Sequence, residues 1–152
     1  MGLDDHLAFN HLGHCVSDLT RSRRFYEELL GFTFLYEIRP PDEPSSRLLR
    51  LPPPVGLHAT YLRLGGLVLE LLQFQRPDNP PGQLRAMNEP GLTHLSLAVD
   101  DIATLLARVA DFGGEVLEDT NLGQAVMIRD PDGQLIEILP MAYRRKMAEQ
   151  GF

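Results

Sequence analysis

Two histidines and two glutamates carry the chemistry that this sequence offers. His11 and His94 each head a short alternating segment. Glu70 and Glu137 each stand alone in an otherwise apolar run, Leu67-Val68-Leu69-Glu70-Leu71-Leu72 and Leu135-Ile136-Glu137-Ile138-Leu139. Burying a carboxylate without a partner costs on the order of several kcal/mol, so each glutamate needs a counter-charge, a proton or a wet cavity. Two imidazoles and two carboxylates satisfy one another through one divalent cation, and that donor set suits Zn, Ni, Co, Mn or Fe without choosing among them. Taken singly, a strand histidine or glutamate is more often structural. It is their recurrence, His then Glu in both halves, that points to a metal site.

The recurrence belongs to a longer repeat. His11-Leu12-Gly13-His14-Cys15-Val16-Ser17-Asp18-Leu19 reads like His94-Leu95-Ser96-Leu97-Ala98-Val99-Asp100-Asp101-Ile102, and the same offset carries Gly31 onto Gly114. Each copy opens with a strand pattern and passes through Asp into a helical stretch, Leu19 to Leu30 and Ile102 to Phe112. Asp18 and Asp101 can accept from the first free N–H groups of their helices, and Gly31 and Gly113 can take the left-handed conformation that stops a helix. On the first helix Leu19, Phe25, Leu29 and Leu30 form the apolar side, leaving Arg21, Arg23, Arg24, Glu27 and Glu28 to solvent. Further strands are expected at Phe32 to Glu37 and Ala59 to Leu64, and at Glu115 to Glu118 and Gln124 to Arg129. Each copy closes on its glutamate strand after a turn.

The reading is α+β: two tandem βαβββ modules in a single domain over 1–152. The first module covers 9–74, a linker 75–91, the second module 92–140, and a C-terminal helix or tail 141–152. The first copy is longer because of the Pro-rich stretch Arg39 to Gly56, a candidate lid or substrate loop that cannot be regular throughout.

Strand alternation assigns faces. His11, Gly13 and Cys15 oppose Leu12, His14 and Val16, while His94, Ser96 and Ala98 oppose Leu95, Leu97 and Val99. The apolar faces should meet the helices, so the histidines point to the opposite, concave face. Glu70 shares a face with Val68 and Leu72, and Glu137 with Leu135 and Leu139. His14 has Leu97 at its repeat position and reads as structural, His58 and His6 have no motif around them, and Cys15 lacks an activating base.

With 43% hydrophobic and 23% charged residues among 152, the chain has a globular composition. A formal charge of −7 disfavours nucleic acid. No run approaches the ~20 apolar residues of a membrane span, and Met1 to His6 lack signal-peptide features. One cysteine fits a reducing compartment. The expectation is a cytoplasmic protein with no membrane partner.

His11 through Phe32, with Val16, Asp18, Phe25-Tyr26 and Leu30-Gly31-Phe32, resembles the first module of the vicinal oxygen chelate superfamily, which holds glyoxalases, bleomycin-resistance proteins and extradiol dioxygenases. Asp130-Pro131-Asp132-Gly133 followed by Ile136-Glu137-Ile138 is similar to that family's turn and closing strand. The resemblance implies a cup-shaped mixed sheet around one divalent metal per site. It also implies His11, Glu70, His94 and Glu137 as the ligands. The set is similar to that of glyoxalase I, with methylmalonyl-CoA epimerase as the close rival. Cys15 and Phe74 stand where glyoxalase I commonly has an Arg and an Asn for glutathione, which leaves a thiol cofactor open.

The function expected is that of a metal-dependent lyase or isomerase. It moves a proton alpha to a carbonyl through a metal-stabilised enediolate or enolate, with Glu137 as the base. Arg47, Arg50, Tyr61, Arg63, Gln73 and Arg129 are candidates for holding an anionic group of a small carbonyl, thioester or related bidentate substrate. The alternatives are an Fe(II) extradiol-type dioxygenase using His11, His94 and Glu137, and a metal-free drug-binding protein. Exposed sheet edges lead to the expectation of a homodimer.

Overall fold

A computed structural model describes residues 6–151; Met1 to Asp5, read above for targeting features, lie outside the described residues, as does Phe152. Among the described residues eight strands form two four-stranded mixed sheets, ordered β1-β4-β3-β2 and β5-β8-β7-β6. The first contains β1 (Leu12–Cys15), β2 (Thr33–Ile38), β3 (Leu57–Leu64) and β4 (Leu67–Phe74); the second contains β5 (His94–Val99), β6 (Glu115–Val116), β7 (Val126–Arg129) and β8 (Leu135–Pro140). In each, the opening strand runs parallel to the glutamate strand and the other pairings are antiparallel. A strand can join a parallel neighbour only through a crossover, which is why a helix follows β1 and β5. This is the α+β arrangement of two tandem βαβββ modules.

The chain divides into two compact units. Of the described residues, the first holds those up to Leu19 with Gly31–Asn79, the second Thr20–Leu30 with those from Pro80 onward. Helix α1 is α-helical over Leu19–Arg23 and π-helical over Arg24–Leu29, so most of it belongs to the second unit. There Phe25, Tyr26 and Leu29 join Leu105 and Val109 of α3 (Ile102–Val109) and the fully or almost fully buried Val126, Ile128, Ile136 and Ile138. Gly114 lets these parts close: a Cβ there would sit 2.6 Å from the Phe25 ring and 2.7 Å from the Arg129 carbonyl oxygen. The repeat glycine is therefore a packing requirement.

One N-cap and two glycine stops follow the sequence signals. Asp101 accepts from the Thr104 backbone N–H at 3.0 Å, while Gly31 and Gly113 take φ of 76° and 80°. Buried positions on α1 go beyond the expected apolar side, for Ser22 and Tyr26 are also fully buried. Their partners lie in the Asp130-Pro131-Asp132-Gly133 turn. The Tyr26 hydroxyl donates to Asp130 Oδ2 at 3.0 Å, and the Ser22 hydroxyl donates to Asp132 Oδ2 at 3.2 Å. Asp130 Oδ1 accepts the Asp132 and Gln134 backbone N–H groups, closing the turn that feeds β8.

The Pro-rich stretch forms α2 (Asp42–Leu49), with Pro44 in the first turn, where helix N–H groups have no intrahelical acceptor to lose. Leu49, Leu51 and Val55 pack on the Leu57, Ala59 and Tyr61 face of β3. Asp42 Oδ1 accepts from the Val55 and Gly56 N–H groups, and the Arg76 guanidinium holds the Pro52 and Pro54 carbonyls. The segment is thus fastened at both ends. Helix α4 (Met141–Glu149) follows β8. Among the described residues no helix is long and apolar enough to cross a membrane.

Candidate metal centre

In the first unit, one register row across the sheet reads Gly13, Glu70, Tyr61, Tyr36. Directly paired residues project to the same face, so these positions share one surface with Cys15, Val68, Leu72 and Arg63. His11, one residue before β1, places Nε2 3.0 Å from Glu70 Oε2. The other oxygen of Glu70, Oε1, accepts from the Tyr61 hydroxyl. Tyr61 is held in turn, stacked on Tyr36 with ring centroids 4.4 Å apart and edge-on to His11 at 5.5 Å. Burial and then the Glu70 hydrogen bond push the Tyr61 phenol up, so it stays a proton donor to the carboxylate. The absence of a side chain at Gly13 matters here: a Cβ would come 3.2 Å from Leu72 Cδ1 and 3.8 Å from Glu70 Oε2.

The second unit repeats the pair with different support. The row is Ser96, Glu137, Met127, and His94 lies one row away opposite Leu135. His94 Nε2 is 3.8 Å from Glu137 Oε2, and the Ser96 hydroxyl donates to that same oxygen at 2.6 Å. The other imidazole nitrogen, Nδ1, lies 3.0 Å from Thr93 Oγ1, an orienting contact of the kind that metal-binding histidines use. Glu70 is the more enclosed carboxylate, its side chain 11% exposed against 28% for Glu137. The opposite face of this sheet carries the buried isoleucines of β7 and β8, which matches the alternation read from sequence.

Each unit therefore presents one imidazole nitrogen and one carboxylate oxygen side by side. A separation of 3.0 Å is close to what two ligands about 2.1 Å from one ion would have at near-right angles. Nitrogen and oxygen donors and a hydroxyl securing each carboxylate fit a divalent cation. A pair supplies fewer than the three or four protein ligands such an ion takes. Among the described residues no group of three or more His, Cys, Asp or Glu forms a metal cluster.

The proposed substrate residues fall into three groups. Tyr61 touches Glu70, and Arg63 and Arg129 lie on the site faces, Arg63 opposite Val68 and Arg129 opposite Leu135. Arg129 Nη1 meets Glu115 Oε2 at 3.0 Å, and its Nε is buried without a hydrogen-bond partner. Gln73 projects from the opposite face of β4 and donates to the Ser17 carbonyl at 3.0 Å. Arg47 pairs with Glu43 along α2, and Arg50 ends that helix in the left-handed conformation, φ 56°. Ser96 and Tyr36 were missed in the sequence. Ser96 had only its repeat partner Gly13 to mark it, and Tyr36 depended on a β2 register shifted by the irregularity between Phe34 and Tyr36.

Two βαβββ modules, each with a His–Glu pair on one face of its sheet, define the fold class to which this chain belongs. The sequence profile of the Glyoxalase/Bleomycin resistance protein/Dioxygenase superfamily matches residues 8–138, and the chain belongs to that superfamily. Solved structures agree on the fold. A glyoxalase family protein from Bacillus cereus is 19% identical with a TM-score of 0.73, covering 88% of this chain and 93% of its own. The trypanothione-dependent glyoxalase I of Leishmania major is 24% identical, with a TM-score of 0.65 and coverage of 92% and 91%. The fosfomycin resistance protein FosX from Listeria monocytogenes, solved with Mn(II) and sulfate ion, is 13% identical, with a TM-score of 0.57 and coverage of 88% and 91%. No curated protein matches the chain in sequence.

Proposed function

We propose that this protein is a divalent-metal-dependent lyase or isomerase that moves a proton at the carbon next to a carbonyl. The ligands are His11, Glu70, His94 and Glu137, and the substrate is a small carbonyl or thioester compound offering two adjacent oxygens. The observation that carries this reading is the duplicated pair, in which each carboxylate lies beside an imidazole and is steadied by a hydroxyl, Tyr61 in one unit and Ser96 in the other. Structural histidines would have no reason to recur with both partners. The cation, when bound, supplies Lewis-acid polarisation of the substrate oxygens.

The chain's own groups divide the remaining work. Glu70 is held through both oxygens, by His11 and by Tyr61, and stays in place. Glu137 is more exposed, and both its contacts fall on Oε2, so it is the carboxylate that takes the proton from carbon and returns it. Tyr36 stacks on Tyr61 and holds the phenol that donates to Glu70. The protein works as a homodimer, which would cover sheet edges at β2 and β6.

Elemental analysis of protein purified without chelator, with His94→Ala alongside, tests the assignment. Near-stoichiometric metal in the wild type and its loss in the variant are expected. Absence of metal from both, even after Zn, Ni, Co, Mn and Fe are added back, would overturn the catalytic reading and leave a binding protein.

A further inference from the structure

Register, rather than sequence offset, brings a third residue type into the repeat. In the second unit a row crosses the sheet as His94, Leu135, Arg129, Glu115. The matching row of the first unit contains Val68, Arg63, Thr33. Arg63 and Arg129 are thus equivalent, each on the site face and one row from its glutamate, about 7 Å along the strand. The turns between arginine and glutamate differ in length, Leu64 to Leu67 against Asp130 to Gln134, which hides the equivalence from the sequence repeat.

The two arginines differ in their surroundings. Glu115 ends the second row and gives Arg129 a counter-ion, leaving Arg129 Nε unpartnered. Thr33 occupies the same place in the first unit. Arg63 is exposed and, among the described residues, its guanidinium has neither a hydrogen bond nor an ion pair. Most other arginines with described contacts pair locally, such as Arg23 with Glu27, Arg47 with Glu43 and Arg76 with Asp78. In a chain of net charge −7, Arg63 thus leaves a cation without a counter-ion one row from a site carboxylate.

We propose that Arg63 and Arg129 form the anion-recognition positions of the two site faces, and that the substrate carries a carboxylate or phosphate group apart from its two adjacent oxygens. This rests on the proposed reading that these faces receive substrate. The planar guanidinium presents paired N–H donors that match either anion. Arg63 is open to the ligand as it stands, whereas at Arg129 the incoming anion competes with Glu115.

The test follows the arginine Nε–Hε signals of ¹⁵N-labelled protein, freed of metal by chelator, during titration with malonate or inorganic phosphate at constant ionic strength. Saturable shifts of the Arg63 and Arg129 signals are expected, abolished singly by Arg63→Ala and Arg129→Ala. Arg108→Ala, whose guanidinium lies over Phe112, should change neither. Two exchanges at the row ends keep the test independent of any folding defect in the alanine variants. Glu115→Gln should tighten binding at Arg129 about threefold, and Thr33→Glu should weaken it at Arg63 by at least as much. Tighter malonate assigns a carboxylate substrate and tighter phosphate a phosphorylated one. Shifts that never saturate, or that both row-end exchanges leave unchanged, would overturn the proposal. Because the titration needs no metal, that failure is distinct from a failure of the metal assignment.

Discussion

At the residue scale the two glutamates occupy equivalent positions and are held differently. Glu70 has a tyrosine directly across the sheet, and its row partner on β1 is Gly13; Glu137 has Met127 across the sheet, and its row partner on β5 is Ser96. The hydroxyl therefore comes from opposite sides of the carboxylate in the two units. Removing an outer hydrogen bond to a metal ligand typically costs 10- to 100-fold in metal affinity. Tyr61→Phe should therefore weaken binding of the cation about tenfold, measured by competition with a chromogenic chelator, while leaving the far-ultraviolet circular dichroism unchanged. An affinity within twofold of wild type would show that Glu70 needs no such support. The pair was legible in the sequence because two glutamates in apolar runs demanded partners. The identity of the hydroxyls was not, since it depends on which residue lies across the sheet.

At the element scale the most informative contact joins α1 to the turn before β8. The Tyr26 phenol is buried, and burial first, then the Asp130 carboxylate, push it well above its ordinary range. A phenol harder to ionise in the folded chain than in the unfolded one adds stability that is present below about pH 10. That stability is lost as the pH rises beyond this value. Tyr26→Phe should then unfold less steeply with pH above 10, while costing about 1–3 kcal/mol near neutrality because Asp130 Oδ2 loses its donor. Thermal melts from pH 7 to 11 provide the check, and parallel curves for both proteins would contradict it. The sequence marked the helix and the turn separately. Regular helical spacing puts Ser22 and Tyr26 on the face of Leu19 and Leu29, but the sequence did not mark them as buried, because a hydroxyl is buried only where a partner such as Asp132 or Asp130 accepts from it.

For the whole molecule, a ligand that binds only the folded chain stabilises it by mass action. A cation at 100 times its dissociation constant contributes about 2.7 kcal/mol. For a chain of this size each kcal/mol moves Tm by roughly 2–4 °C, so chelator should lower Tm by about 5–10 °C and the effect should vanish in His94→Ala. Scanning calorimetry with and without chelator measures this. An equal drop in the variant would place the metal elsewhere.

What the sequence determined by itself was what is periodic and local. The repeat, the alternation that set Glu70 and Glu137 against their apolar neighbours, the capping residues and the glycine stops all follow from which residues can be buried and which backbone angles they accept. Tertiary structure decided what depends on contacts between elements distant in sequence. It folded the Pro-rich stretch into α2 over β3, clustered α1 mainly with the second unit, and aligned Arg63 with Arg129 across turns of different length. The physical reason is that strand register is settled by turn geometry and by packing across the sheet, and neither is carried by the spacing of residues along one strand.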